Sequence, residues 1–311
     1  MSPLKFAISA TASALMLAAA SPASALLLIA DYSDSSVSNG IWQTASGSIQ
    51  GSDPGGGAVN VTDVFKANIA AAFTYLGGSV LGGGTLTVQF GLQDLHLSGA
   101  DGFSQVLTIG PNGLPNLTRI VLDSSSSSSF YLDATPFDNS EYTMQSVDAT
   151  LGGGTVNVGR YGSALASSQA ANRTDILTLA MHELIHSAAL KADTPEGNSN
   201  RKLTIPTSLT GFSSDFDLPF IDGSNHIDPF LQGAVFQHTV TSEPSFGNND
   251  RWLLTGVEVY GICVIQGCTP DQVFPNFVAS VNNVPESNSL FLVAAGLGLM
   301  GAFRRRQKSA A

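Results

Sequence analysis

His182, Glu183 and His186 are the residues of this 311-residue chain whose types and spacing most directly describe chemistry. They form the run His182-Glu-Leu-Ile-His186, within the segment from Asp175 to Ala189. An α-helix turns about 100° per residue, so two histidines four apart point from one face and can grip a single Zn²⁺. The glutamate beside the first histidine then reaches a water held by that ion. The whole chain has five histidines and six glutamates, so chance is a weak source of this pattern. Zinc hydrolysis takes three protein ligands and one open position, where water loses a proton far more easily than in bulk. His182 and His186 are therefore candidate ligands and Glu183 the candidate general base. The third ligand must come from His96, His226, His238, Glu196, Glu243 or Glu258.

The element that carries the pair reads as a buried helix. Ile176, Leu177, Ala180, Leu184, Ile185 and Ala188 supply an apolar stripe, and Asn172 or Thr174 offers an N-terminal cap. Upstream, Thr62 or Asp63 predicts the start of a helix over residues 65–76 that Gly77 and Gly78 would stop. Alternation with period two predicts strands at 82–91, 117–122 and 154–160, with a short one at Ile41-Trp42. The serine run 124–129 cannot bury a face and reads as a surface loop. Strands grouped ahead of the key helix, without strict βαβ alternation, predict an α+β catalytic domain over residues 26–283.

Both ends read as address labels. Residues 1–25 begin with Lys5, continue through an apolar run and close on Ala23-Ser-Ala25, the pattern of a cleavable signal peptide. At the other end, Val284-Pro-Glu-Ser287 is followed by the apolar stretch Leu290 to Phe303 and then by Arg304, Arg305 and Arg306. That order, over residues 284–311, resembles the PEP-CTERM sorting signal of Gram-negative bacteria, although Ser287 stands where the usual signal has its second proline. The resemblance implies export, transient association with the inner membrane through the tail, cleavage by an exosortase, and a final place at the cell surface or in the extracellular matrix. The apolar stretch is shorter than the roughly 20 residues that span a bilayer as a helix. Lys5, the three arginines and Lys308 are five of 13 basic residues, leaving eight against the 24 acidic ones. A surface this acidic repels nucleic acid. Cys263 and Cys268, the two cysteines, are expected to form a local disulfide in an exported protein.

Downstream of the histidine pair, Ser224-Asn-His226-Ile-Asp228 and the run Trp252 to Ile262 bring a second resemblance. Residues 171–265 look like a divergent metzincin-like zinc protease whose third histidine is displaced downstream, as in the leishmanolysin group. The resemblance implies a zincin fold with a twisted mixed sheet, a backing helix and an active-site helix. It also implies His182, His186 and His226 as zinc ligands, Glu183 as general base and a protein or peptide as substrate. Asp228 would orient His226, and Tyr260 is a candidate oxyanion donor. The chain departs from the family twice. Ala188-Ala189 replaces the Leu-Gly that ends the helix, and Val235-Phe-Gln-His238 stands where a Met-turn belongs, with Phe236 as its apolar floor. These departures keep open a catalytically degenerate surface or matrix protein. Glu243 or Glu258 as third ligand would instead make a gluzincin-type site. Asp215, Asp217, Asp222 and Asp228 raise a hard cation such as Ca²⁺, without the spacing of an EF-hand.

Overall fold

A computed structural model describes residues 26–34, 41–42, 49–50, 59–79, 84–93, 95, 100–123, 130–190, 202–221, 226–229, 235–242 and 249–273. The signal-like segment, the serine run, His96, Glu196, Asp222, Glu243 and the sorting-type tail lie outside them. No helix among the described residues is long and apolar enough to cross a membrane.

In chain order the elements are β1 (Leu27–Asp31), β2 (Ile41–Trp42), β3 (Ile49–Gln50), β4 (Val59–Asn60), α1 (Val61–Ser79), β5 (Thr85–Gln93), β6 (Gly102–Ile109), β7 (Pro115–Asp123), β8 (Phe130–Tyr131), β9 (Tyr142–Leu151) and β10 (Gly154–Ala164). There follow β11 (Thr174–Asp175), α2 (Ile176–Ser187), β12 (Lys202–Ile205), α3 (Thr207–Thr210), β13 (Phe216–Pro219), β14 (Asp250–Trp252) and α4 (Gly256–Gln266). The class is α+β.

The main sheet runs β1-β5-β7-β6. Its first three strands are parallel and β6 pairs antiparallel with β7, so the sheet is mixed. Leu86, Val88 and Phe90 of β5 and Thr118, Ile120 and Leu122 of β7 are buried at alternate positions, as the pleat requires. The apolar ones join Phe65, Ile69, Ala72 and Leu76 of α1 and Leu177, Met181, Leu184 and Ile185 of α2 in one core. Each fully buried Leu, Ile or Phe stabilises by roughly 1.5–3 kcal/mol. That suffices to hold α2 between α1 and the rest of the chain, with all twelve of its residues buried. A second sheet, β14-β10-β9, is antiparallel and supplies the other wall.

Several local expectations change. The helix α1 runs through Gly77 and Gly78 to Ser79 instead of stopping at them, because its apolar face is buried to the end. The strands β6 and β9 add to those that apolar spacing predicts. Phe103, Leu107 and Ile109 of β6 are exposed, whereas β9 turns Thr143, Gln145, Asp148 and Thr150 outward and Met144, Val147, Ala149 and Leu151 toward the core, with a register shift opposite Asn157 and Gly159. The closing helix begins at Gly256, since Asp250–Trp252 is drawn into the β10 ladder as β14. Cys263 and Cys268 are free thiols that hydrogen-bond to each other, not a disulfide.

Candidate metal centre

The first turn of α2 is anchored by Asp175, not by Asn172 or Thr174. Its carboxylate accepts from the backbone N–H and the hydroxyl of Thr178. A cap of this kind is worth about 1 kcal/mol. The same carboxylate takes two bonds from the guanidinium of Arg251, at 3.0 and 2.9 Å, and Arg251 also meets Asp133 at 2.7 Å. Thr178 then accepts from the backbone of Trp252 at 2.8 Å, so β14 and α2 are locked together.

Two turns further on, His182 and His186 project from one face, as their spacing demands. His226 comes to the same point from the segment between β13 and β14. Its Nε2 lies 3.1 Å from that of His182, and the Nε2 of His186 also lies 3.1 Å from that of His182. The three ligand nitrogens all fall within 4.8 Å of one another. Nitrogens bound to one tetrahedral zinc stand about 3.3 Å apart, so the cage has the size of a single ion.

The tautomers decide what the cage can hold. Nδ1 of His182 bonds the carbonyl of Val240 at 2.8 Å, and Nδ1 of His186 bonds the carbonyl of Leu190 at 3.0 Å. A carbonyl only accepts, so both Nδ1 atoms carry the hydrogen and both Nε2 atoms of neutral rings carry a lone pair. Burial, with His186 and His226 beside it, pushes the His182 pKa well below its ordinary value and keeps that ring neutral. With both rings neutral, the two Nε2 lone pairs lie 3.1 Å apart. A cation relieves this contact, and the donor set of three imidazoles suits Zn²⁺.

Glu183 is 5% exposed, with a carboxylate oxygen 4.0 Å from Nε2 of His182. Burial pushes its carboxyl up to about 8, against the pull of the Ser104 hydroxyl and backbone N–H, which both donate to it. Ser104 belongs to β6, the outer strand of the main sheet, and sequence reasoning missed it because β6 itself was not legible there.

The chain bends away from α2 without the missing glycine. Ser187 is the last helical residue, Ala188 the cap, and Ala189 adopts φ 80° in the left-handed region. Its N–H donates to the carbonyl of His186, and the bend delivers the Leu190 carbonyl to His186. An alanine pays roughly 1–2 kcal/mol for this conformation, which the buried surroundings impose.

The other candidates are placed elsewhere. His238 stacks on Tyr161, with ring centroids 3.9 Å apart, and is not a ligand. Glu258 is buried and accepts four hydrogen bonds from Thr241 and Thr255, so it is not a ligand either. Tyr260 lies edge-on to Phe212 and Phe216. Phe236 is fully buried in the main core, in a turn closed by Thr239 N–H donating to its carbonyl. Asp215 bonds the Thr207 N–H and Asp217 pairs with Lys202, so these two carboxylates tie the β12–β13 region together. Among the described residues the three histidines are the one convergent ligand group, and Asp222 of the acidic set lies outside those residues. No protein-family model, curated protein or solved structure matches this chain.

Proposed function

We propose that this chain is an exported zinc-dependent endopeptidase of metzincin-like type, acting at the cell surface or in the extracellular matrix after transit through the inner membrane. The observation that carries the reading is the convergence of the ring nitrogens of His182, His186 and His226 within 4.8 Å, flanked by the buried Glu183. His182, His186 and His226 would hold the ion. Zinc supplies Lewis acidity, which acidifies water and polarises a peptide carbonyl.

The remaining chemistry belongs to the protein. A carboxylate oxygen of Glu183 takes a proton from the attacking water and returns it to the leaving amide nitrogen. Ser104 holds that carboxylate through its hydroxyl and N–H. Among the described residues β6 has β7 as its sole ladder partner, so its other edge can receive an extended peptide strand. The sorting-type tail, with an exosortase as partner, accounts for the route to the surface.

Glu183→Gln separates binding from catalysis. The full chain should hold about one zinc and cleave casein, and the variant should keep its zinc while cleavage falls about 10²- to 10⁴-fold. Cleavage that survives this substitution removes the mechanism. Zinc bound by the wild type with no cleavage over a broad peptide panel leaves a metal-binding surface protein.

A further inference from the structure

We propose that Glu258 is a positioning residue of the metal centre, one carboxyl group that holds both the orienting partner of His182 and the backbone beside His226. The inference rests on the reading of the three histidines as a zinc site.

Glu258 lies in the first turn of α4 and is 0% exposed. Among the described residues it has no cationic partner. Instead one carboxylate oxygen accepts from the Thr255 N–H at 3.0 Å and the Thr255 hydroxyl at 2.7 Å. These two bonds cap α4. The other oxygen accepts from the Thr241 N–H at 2.7 Å and the Thr241 hydroxyl at 2.8 Å. That second pair does nothing for the helix. It fixes residue 241, far from α4 in sequence.

Residue 241 is the junction of two ligand supports. Its N-terminal neighbour Val240 offers the carbonyl that takes the His182 Nδ1 hydrogen at 2.8 Å. Its own carbonyl accepts from the N–H of Ile227 at 3.0 Å, and Ile227 follows His226. The carbonyl of His226 in turn accepts from Ile221 at 2.9 Å, and Ile227 bridges to Ser242. Movement of Thr241 therefore shifts the tautomer-setting acceptor of one ligand and the main chain of another. Four converging donors need four acceptor positions, which a carboxylate has and a carboxamide lacks. This accounts for an ionisable side chain where cap geometry alone would accept glutamine.

The test uses the full chain with Zn²⁺ in competition against a chromophoric chelator, the visible absorption of the Co²⁺ form, and thermal unfolding of the metal-free protein. Partners that orient metal ligands typically change affinity about 10- to 100-fold, and Glu258→Gln should weaken Zn²⁺ by that factor and alter the Co²⁺ bands. Thr241→Val should share a smaller part of both effects. Thr255→Ala, which touches the cap and not the loop, should lower the metal-free Tm while leaving Zn²⁺ affinity unchanged. A folded Glu258→Gln protein that binds Zn²⁺ like wild type, with the same Co²⁺ bands, overturns the inference. So does a Thr255→Ala loss equal to that of Thr241→Val, which also decides the matter if Glu258→Gln does not fold. Wild-type protein that binds no Zn²⁺ is a different result and overturns the reading of the histidines themselves.

Discussion

Around the first turn of α2, the five N–H groups of Arg251 all find acceptors within the chain. They reach Asp175 twice, Asp133 once, the Asp138 carbonyl and the Asn139 side chain, with the Tyr142 ring 4.5 Å from the guanidinium carbon. Two turns later, around His182, three imidazoles bring their ligand nitrogens within 4.8 Å of one another, with the Val240 and Leu190 carbonyls behind two of them. The first cluster is closed by its own charges, whereas the second gathers three imidazoles around a space of the size one cation takes. A cluster that satisfies its own charges builds stability, whereas a convergence of like donors suits a ligand from outside.

The sharpest way to break this contrast is Arg251→Met. It strands Asp133 and Asp175 in the interior, and breaking a buried pair costs about 3–5 kcal/mol. Urea unfolding should show that loss in metal-free protein, with Zn²⁺ affinity of the molecules that remain folded unaltered. Equal loss of zinc affinity and stability would merge the two clusters into one.

The converse change acts on the metal alone. His226→Ala should lower Zn²⁺ affinity by more than about 100-fold, beyond what loss of an orienting partner does, and leave metal-free stability little altered. Chelation tests the same point in the wild type. Zinc at 100 times its Kd adds about 2.7 kcal/mol to the folded state, so the chelator should lower Tm in the wild type and not in His226→Ala. A metal-free wild type as stable as the loaded one would leave the convergence of the three imidazoles unexplained.

The smallest effect belongs to the bend after the helix. Ala189→Gly relieves a left-handed alanine, worth about 1–2 kcal/mol, but gives up a buried methyl and adds backbone entropy of about 0.5–1 kcal/mol to the unfolded chain. These terms oppose each other, and stability should change by less than about 1 kcal/mol in chemical denaturation. Ala189→Val, with a β-branched side chain in the same conformation, should be clearly destabilising. Equal stability of the two variants would mean that the bend at residue 189 carries no strain.

Much of the fold was legible where one period governed a whole element. The helices around Phe65 and His182 and the strands around Val88, Ile120 and Val156 all declared themselves by apolar spacing. The strand β6 did not, because an outer strand leaves Phe103, Leu107 and Ile109 in solvent and loses the inward-outward signal. Asp175 was passed over as the cap of α2 because a neutral choice such as Thr174 looks equally good locally. What selects the aspartate is Arg251, distant in sequence and adjacent in space.

The amino-acid order alone determined that two imidazoles share one helix face with a carboxylate beside the first, because a helical repeat is a local property that four residues suffice to set. Only tertiary structure decided that His226 and not His238 or Glu258 completes the group, that Ser104 holds Glu183, and that Ala189 turns the chain. Each of these depends on hydrogen bonds and packing between segments far apart in sequence, whose energies appear only once the sheet and both helices have buried their apolar faces together.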